Sequence, residues 1–550
     1  MLFPRGLLLA SLPTTLASLN QNWPYLTRPD LTPPKLNITI PFHPSTSTSH
    51  HGSDYIFIAP YSGFSPTSTG PTQPGAYILR TDGDLIWSGL GYLAGYVANF
   101  GPTVIGGKNV LKAAQGQLDG GHGRMFGDHV VLNERYEAVR VLRTAGDTGR
   151  LVSVHEFEVV DETSVIIEVP VPVPVHLGEF GGVEGQTWVL SSGFQEIDIE
   201  SGQLLFEWYS LDHISPNTSA LPLSSEGPFN AFTPHDAWDY FHLNSATKDS
   251  DGNYLISGRN VAAIYKINGT DGSVIWQLGG TAGSDFEVPG NVQFAFQHDA
   301  RIRSLSEDRT LERISFFDNA DHSQPGHGLG QSSRARYIEL DHSTKTVREI
   351  QTFWPPEDLV ANSQGNAQFL GNGNVFVNWG QAGAITEFSA EGEVLFHAHL
   401  DSYPSLDVQS YRGFRAPWVG FSSEEVAVLV LGELSGSTCG EREVDVFVSW
   451  NGDTETSAWW FYLVDTDGVE EELLGKKERA GFETSFGVQI GLEGNDLKRV
   501  LVIAEARDEE GRVLGRSRAT GVSDRAPYRA RLGFGNWEEC MSEGQERLEL

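Results

Sequence analysis

The chain has 550 residues, with 38 Lys+Arg against 72 Asp+Glu for a formal net charge of −34, and is 39% hydrophobic and 11% aromatic. That apolar content fills a core and excludes wholesale disorder, while the acidity excludes a broad basic face of the kind that binds nucleic-acid phosphates. With 61 glycines and 27 prolines, the composition points to many tight turns and an all-β protein rather than a helical one.

The first 18 residues carry one early charge (Arg5), a short apolar stretch (Leu7, Leu8, Leu9, Ala10) and small residues at Ala17-Ser18. This is the order of a secretory signal peptide and leads to the expectation of a secreted protein. No later stretch approaches ~18 uninterrupted apolar residues, so no membrane span is expected. Three sequons, at Asn37, Asn217 and Asn268, agree with a secretory route. Residues 19–54 are rich in Pro, Ser, Thr and His and read as an extended lead-in, with Pro33-Pro34 blocking helix.

From residue 55 to 424 the pattern is short β-rich runs broken by Gly, Asp and Asn. One local design recurs: a turn containing Gly or Asp, then alternating apolar residues ending in an aromatic. Thr81-Asp82-Gly83 leads to Trp87, Glu200-Ser201-Gly202 to Trp208, Asp271-Gly272 to Trp276, and Glu391-Gly392 to Phe396, with a degenerate copy over Ser343–Ile350. Each reads as a hairpin with an Asp-Gly type turn. From the Gly202 copy onward a spacing of about 50–70 residues fits four-stranded blades with insertions, and radial repetition buries such sheets face to face, so the pattern predicts a β-propeller.

Near residue 425 the character changes. Glu441–Ser449, the aromatic run Trp459-Trp460-Phe461-Tyr462 and Val500–Ala504 are among about seven short strands, which predict an immunoglobulin- or fibronectin-like β-sandwich over 425–540. The two cysteines, Cys439 and Cys540, bracket this region and suggest a single disulfide in an oxidising compartment. Absence of CxxC or clustered Cys/His spacing gives no support for a structural zinc site of that type.

Polar residues stand out where the repeat pattern breaks. His242 and Asn244 share one side of an extended segment; further clusters are Gln297-His298-Asp299-Ala300-Arg301, Ser333-Arg334-Ala335-Arg336, Ser363–Gln368 and Ser410-Tyr411-Arg412-Gly413. Histidine, arginine and amide side chains are what a tetrahedral oxyanion requires: a fork of donors, a neutral nitrogen that accepts a proton or attacks, and an uncharged donor.

The ordered motifs DYFHLNS, SGRNVAAIYKI with VIWQLGG, FQHDARI, ISFFDNADHS and SRARYIELD, with FQEIDIESGQLLFEW and DHISP upstream, resemble the arylsulfotransferase family, most of all its fungal branch, over roughly residues 20–535. The resemblance implies a six-bladed propeller with its site at the central channel. It implies transfer of a sulfuryl group from a phenolic sulfate ester to a phenol, with no nucleotide sulfate donor and no cofactor. A histidine is transiently sulfated in that family. His242 and His298 match its sulfate-site histidines, Asn319 and Arg334 match polar partners, and Arg412 and Asn244 are expected to bind substrate. The family's nucleophilic histidine sits in a His-Tyr-Arg-Ala segment, where this chain has Ser410-Tyr411-Arg412-Gly413; Ser410 therefore occupies the nucleophile's place. His397 and His399, in a strand, read as structural. The competing reading is an inert propeller that binds a small ligand; a quinone-dependent oxidoreductase lacks its expected disulfide ring and acidic calcium cluster.

Overall fold

The computed structural model describes residues 24–42, 54–64, 68–146, 153–320, 328–330, 332–401, 408–432, 443–464, 471–490, 497, 500–525 and 528. The expected signal peptide and both cysteines lie outside these residues. Among the described residues there is no α-helix, and no helix long and apolar enough to cross a membrane.

Six antiparallel blades form a ring. Blade I pairs Gly413–Pro417 with Asp54–Ile58, then Tyr77–Leu79 and Leu85–Ser88. Blade II runs Tyr96–Ile105, Lys108–Asp119, Arg124–Leu132 and Ala138–Leu142. Blade III runs Phe157–Val160, Ser164–Pro174, Trp188–Asp198 and Leu204–Tyr209, and blade IV Leu243–Lys248, Tyr254–Gly258, Ala263–Ile267 and Val274–Gly279. Blade V runs His298–Leu305, Leu311–Asp318, Arg334–Asp341 and Thr346–Phe353. Blade VI runs Asn366–Phe369, Val375–Asn378, Ala384–Phe388 and Val394–Leu400, with Leu36–Ile40 from the lead-in added at its outer edge. The first strand of each blade contacts the first strand of the next all the way round, so these strands line the axis. The ring closes through blade I, where Ile58 pairs with Gly413 and Asp54 with Pro417.

The sequence pattern follows from position in the blade. Middle strands are covered on both faces by neighbouring blades; Tyr254–Gly258 and Ala263–Ile267 are buried throughout, so their residues are apolar, small or, like Lys266, paired with buried carboxylates. Outer strands alternate: in Leu204–Tyr209, Leu205 is exposed while Trp208 is buried. The closing tryptophan also ties blades together, since Trp208 Nε1–H donates to the Gly272 carbonyl in the outer turn of blade IV at 3.0 Å.

Beyond Pro417 the strands Ala427–Gly432, Glu443–Ser449, Ala458–Val464, Glu471–Glu478, Glu483–Gln489, Leu501–Arg507, Val513–Arg516 and Thr520–Asp524 pair among themselves, not with the blades. They share one apolar core around Val430, Val446, Trp459, Phe461 and Val502. This unit docks on blades I and II. Asn451 makes a two-way hydrogen bond with the Ser88 backbone at 2.8 and 3.1 Å, and Tyr136 Oη donates to the Gly452 carbonyl at 2.6 Å. Gly452 has φ +91°, and a Cβ there would lie 2.4 Å from the Tyr136 ring, so only glycine permits this approach.

At the axis the first strands are joined by one buried ionic network. Glu156, fully buried just before the first strand of blade III, bridges Arg301 of blade V and Arg412 leading into blade I, both at 2.9 Å. Its second oxygen accepts from the Ala246 N–H of blade IV at 3.0 Å. Arg412 also donates to Asn99 of blade II at 3.1 Å and to the Asn244 carbonyl at 3.1 Å. Asp299 pairs with Arg301 at 2.8 Å and accepts from Ala367 of blade VI at 3.2 Å. All six blades thus meet at one charge cluster. Burial pushes the Glu156 carboxyl up, and Arg301 and Arg412 overcome it, so the net shift is below the ordinary 4.5. A depressed carboxylate contributes stability that is complete above its unfolded value and drains away as pH falls below it. Glu156→Gln is expected to cost about 3–5 kcal/mol of unfolding free energy at neutral pH and to flatten the loss of stability below pH 4.5; denaturant titrations across pH check both.

Candidate functional site

Above this network every blade contributes to the wall of a cavity of about 840 Å³, among others through Tyr411, Tyr96, His155, His242, His298 and Gln364, from blades I to VI in turn. Each sits at or just before its blade's first strand, within three residues of a residue of the ionic network. The mouth is framed by Phe64, Gly121–Gly123 and the segment Leu221–Phe229. The size suits a small organic ligand. Backbone strain concentrates where the chain turns into the first strands: Asn99, His242, Asp299 and Gln364 have φ of +51°, +55°, +55° and +68°. Side-chain residues adopt this region at a cost that the surroundings must hold in place.

Two of the imidazoles are backed by carboxylates. His242 Nδ1 lies 2.6 Å from Asp239 Oδ2, and its own N–H donates to Asp239 Oδ1 at 3.1 Å. His155 Nδ1 lies 2.6 Å from Glu168 Oε2 and 2.7 Å from Ser153 Oγ. Each carboxylate fixes the proton on Nδ1 and leaves the Nε2 lone pair facing outward; among the described residues neither Nε2 has a hydrogen-bond partner. The two rings meet edge to face, with centroids 4.6 Å apart. Burial lowers the His242 pKa, partly offset by Asp239, so the ring is neutral at neutral pH. Burial beside the same His242 and Arg124 leaves Asp239 ionised, since their attraction exceeds its desolvation.

His298 differs. Its Nδ1 donates to Asn319 Oδ1 at 2.6 Å, and its Nε2 accepts the Gln364 N–H at 3.1 Å. Both nitrogens are therefore engaged, and burial next to Arg259 holds the ring well below 6.5 and neutral. Arg259 supplies the positive charge. It sits in the turn between the second and third strands of blade IV, clamped by its N–H to the His242 carbonyl at 3.0 Å. Its guanidinium donates to Asn260 Oδ1 and the Asn362 carbonyl, both at 2.8 Å, and packs on Phe296. Among the described residues no carboxylate lies in ion-pair range, and its buried Nε has no partner. Burial lowers its pKa to about 10, which keeps it charged. A cation with an unpartnered Nε–H beside neutral imidazoles has the chemistry to bind a small oxyanion.

The residues singled out in the sequence divide. His242 and His298 line the cavity. Asn319 lies behind His298, its Nδ2 donating to the Ala361 and Gln364 carbonyls at 2.7 and 3.1 Å. Ser410 is sealed from the cavity, fully buried, with Oγ donating to the Arg412 carbonyl at 2.9 Å. Asn244 is likewise sealed, its Nδ2 on the Gln297 carbonyl at 2.7 Å, and Arg412 is committed to Glu156. Arg334 belongs to the third strand of blade V, where it pairs with Asp318 at 2.9 Å and packs on Trp354, away from the cavity. Substrate contact by Asn244, Asn319, Arg334 or Arg412 side chains thus lacks geometric support, because none of them lines the cavity and each is bonded to a neighbour. His155, Tyr411 and Arg259 take their places at the cavity wall. Their signal was present as position: a polar residue just before each first strand, and an Arg-Asn pair inside SGRNVAAIYKI.

At the mouth, Asp119, His122 and His235 bring three metal-type ligand atoms within 4.8 Å of one another. Both His122 nitrogens are engaged, with Asp119 at 2.9 Å and the Pro228 carbonyl at 2.8 Å.

A family model described as arylsulfotransferase (ASST) matches residues 101–401. No curated protein matches the chain. Among solved structures, a protein of unknown function from Bacteroides caccae is 10% identical with TM-score 0.35, covering 66% of this chain and 98% of its own. AztD from Citrobacter koseri is 11% identical with TM-score 0.30 and covers 67% and 99%. A catalytically inactive virginiamycin B lyase from Staphylococcus aureus is 10% identical with TM-score 0.30 and covers 76% and 97%.

Calorimetric titration with inorganic sulfate tests oxyanion binding. Arg259→Gln is expected to weaken sulfate binding roughly 10–100-fold, about 1.5–3 kcal/mol for a charge-assisted hydrogen bond, whereas Arg334→Gln leaves the affinity unchanged.

Proposed function

The chain belongs to the arylsulfotransferase family, and from that premise we propose that its axial cavity binds a phenolic sulfate ester and transfers the sulfuryl group to a second phenol, without a nucleotide donor. The observation that carries this reading is the pairing of two carboxylate-backed imidazoles, His242 and His155, beside the unpaired Arg259 guanidinium.

In this reading Arg259 binds the sulfate oxygens and offsets charge as it redistributes among them. His242 Nε2, neutral and oriented by Asp239, attacks sulfur; the S–O bond to the aryl group breaks and the phenoxide leaves with that electron pair. The phenoxide takes its proton from solvent; His155, through its free Nε2, then takes the proton of the incoming phenol, whose oxygen displaces His242 from sulfur, and passes that proton on to solvent. Tyr411 and His298 shape the wall, the latter held by Asn319 and Gln364. Serine sulfation finds no support, since the Ser410 hydroxyl is enclosed and bonded to the backbone.

Secretion belongs to the same proposal: the sequons at Asn37 and Asn217 lie on exposed residues, and an enzymatic deglycosylation shift of the protein purified from its native source tests it.

The transfer is tested with p-nitrophenyl sulfate and a phenol acceptor. Acceptor-dependent nitrophenol release with double-displacement kinetics is expected. His242→Ala and His155→Ala each lower kcat/KM by about 10²–10⁴, and Ser410→Ala stays near wild type. Loss of activity in Ser410→Ala but not His242→Ala would overturn the assignment, and no turnover at all would overturn transfer in favour of a binding module. Because His242 stays neutral below 6.5, the acid limb of kcat is expected to fall below that value.

A further inference from the structure

A second group of metal-type ligands lies away from the cavity, in blade VI. His397 and His399 alternate with Phe396, Ala398 and Leu400 in the strand Val394–Leu400, so both imidazoles project from one face. They are 0% and 1% exposed, with ring centroids 5.0 Å apart. Glu357, from the segment that follows blade V, reaches them: its Oε1 is 3.0 Å from His399 Nε2 and 3.6 Å from His397 Nε2. Ligands sharing a tetrahedral cation at ~2.0–2.1 Å stand about 3.3 Å apart, and the two observed separations bracket that value.

The independent sign is at His397. Its Nε2 is buried with no hydrogen-bond partner, and 3.6 Å to Glu357 is too long for one. Its Nδ1 lies 2.7 Å from Thr386 Oγ1, which also accepts the Trp379 indole N–H at 2.8 Å. After accepting the Trp379 N–H, Thr386 Oγ1 keeps a second lone pair that can accept the Nδ1 proton, and in that tautomer the Nε2 lone pair is presented toward Glu357. The Asp119–His122–His235 group at the cavity mouth has no comparable orphan, and its His235 side chain is 57% exposed.

We infer that Glu357, His397 and His399 form a divalent-cation site of the two-histidine, one-carboxylate type, suited to Zn²⁺, with water completing the coordination from the side of Glu357, which is 36% exposed. The site fastens the segment that builds the cavity wall. A few residues past Glu357, the Ala361 carbonyl accepts from Asn319, the Asn362 carbonyl accepts from Arg259, and the Gln364 N–H donates to His298. A cation at Glu357 anchors the near end of this segment to the rigid strand of blade VI.

The full chain, stripped with a chelator and titrated calorimetrically with ZnCl₂, is expected to take up one equivalent and to unfold at higher temperature with it. Co²⁺ is expected to give visible d–d bands of a low-coordinate site. Glu357→Gln preserves shape on a partly exposed side chain and is expected to weaken Zn²⁺ binding by at least about tenfold; His397→Gln with His399→Gln removes the equivalent, and His235→Gln keeps it. Absence of Zn²⁺ uptake by the wild type, unchanged affinity in Glu357→Gln, or loss of the equivalent in His235→Gln would each overturn the assignment.

Discussion

A buried carboxylate between two buried guanidiniums holds the axis of this molecule. Glu156 is fully buried, so its charge is tolerable only while Arg301 and Arg412 are both in place, and each of those comes from a different blade. The ion pairs therefore exist only when the ring is closed, and the closed ring is the only state in which the charges are compensated. The network also sets the positions of the catalytic candidates, because His155 is the residue before Glu156, His298 the residue before Asp299, and Tyr411 the residue before Arg412. Accuracy at the axis becomes accuracy at the cavity wall.

The propeller was legible because its outer hairpins advertise themselves. Asp82-Gly83, Ser201-Gly202, Asp271-Gly272 and Glu391-Gly392 each place glycine at positive φ in the turn between the last two strands of a blade. Blade II escaped the pattern for a physical reason: its turn is Asn133-Glu134-Arg135-Tyr136, with no glycine. There Asn133 Oδ1 accepts two backbone N–H groups, and Tyr136 tolerates φ +62° because Trp87 stacks on it and Gly452 and Trp418 hold its hydroxyl. Support from a separate unit cannot be read from local sequence.

The site was legible by residue type but not by commitment. His242 carries its carboxylate three residues upstream, within one local turn, and could be recognised. Arg334 and Arg412 have the right chemistry but are consumed by Asp318 and Glu156, partners that only the tertiary fold supplies. His155 went unnoticed because its dyad partner, Glu168, lies in the next strand and nothing in the intervening sequence links them. Arg259 is the reverse case: it is informative because the fold withholds a carboxylate from it, and an absence of pairing leaves no trace in a sequence.

The closure of blade I joins Asp54–Ile58 to Gly413–Pro417, strands from opposite ends of the propeller sequence. On the ribosome, the early strands of blade I emerge long before their axial partner exists, and the first strand of blade II waits with them. Until the late strand arrives, an unpaired β-edge is open to solvent, a surface that invites pairing with other nascent chains. The ring's last fastening is thus also its window of vulnerability during biosynthesis, and chaperone dependence should concentrate in the interval before residue 417 leaves the exit tunnel.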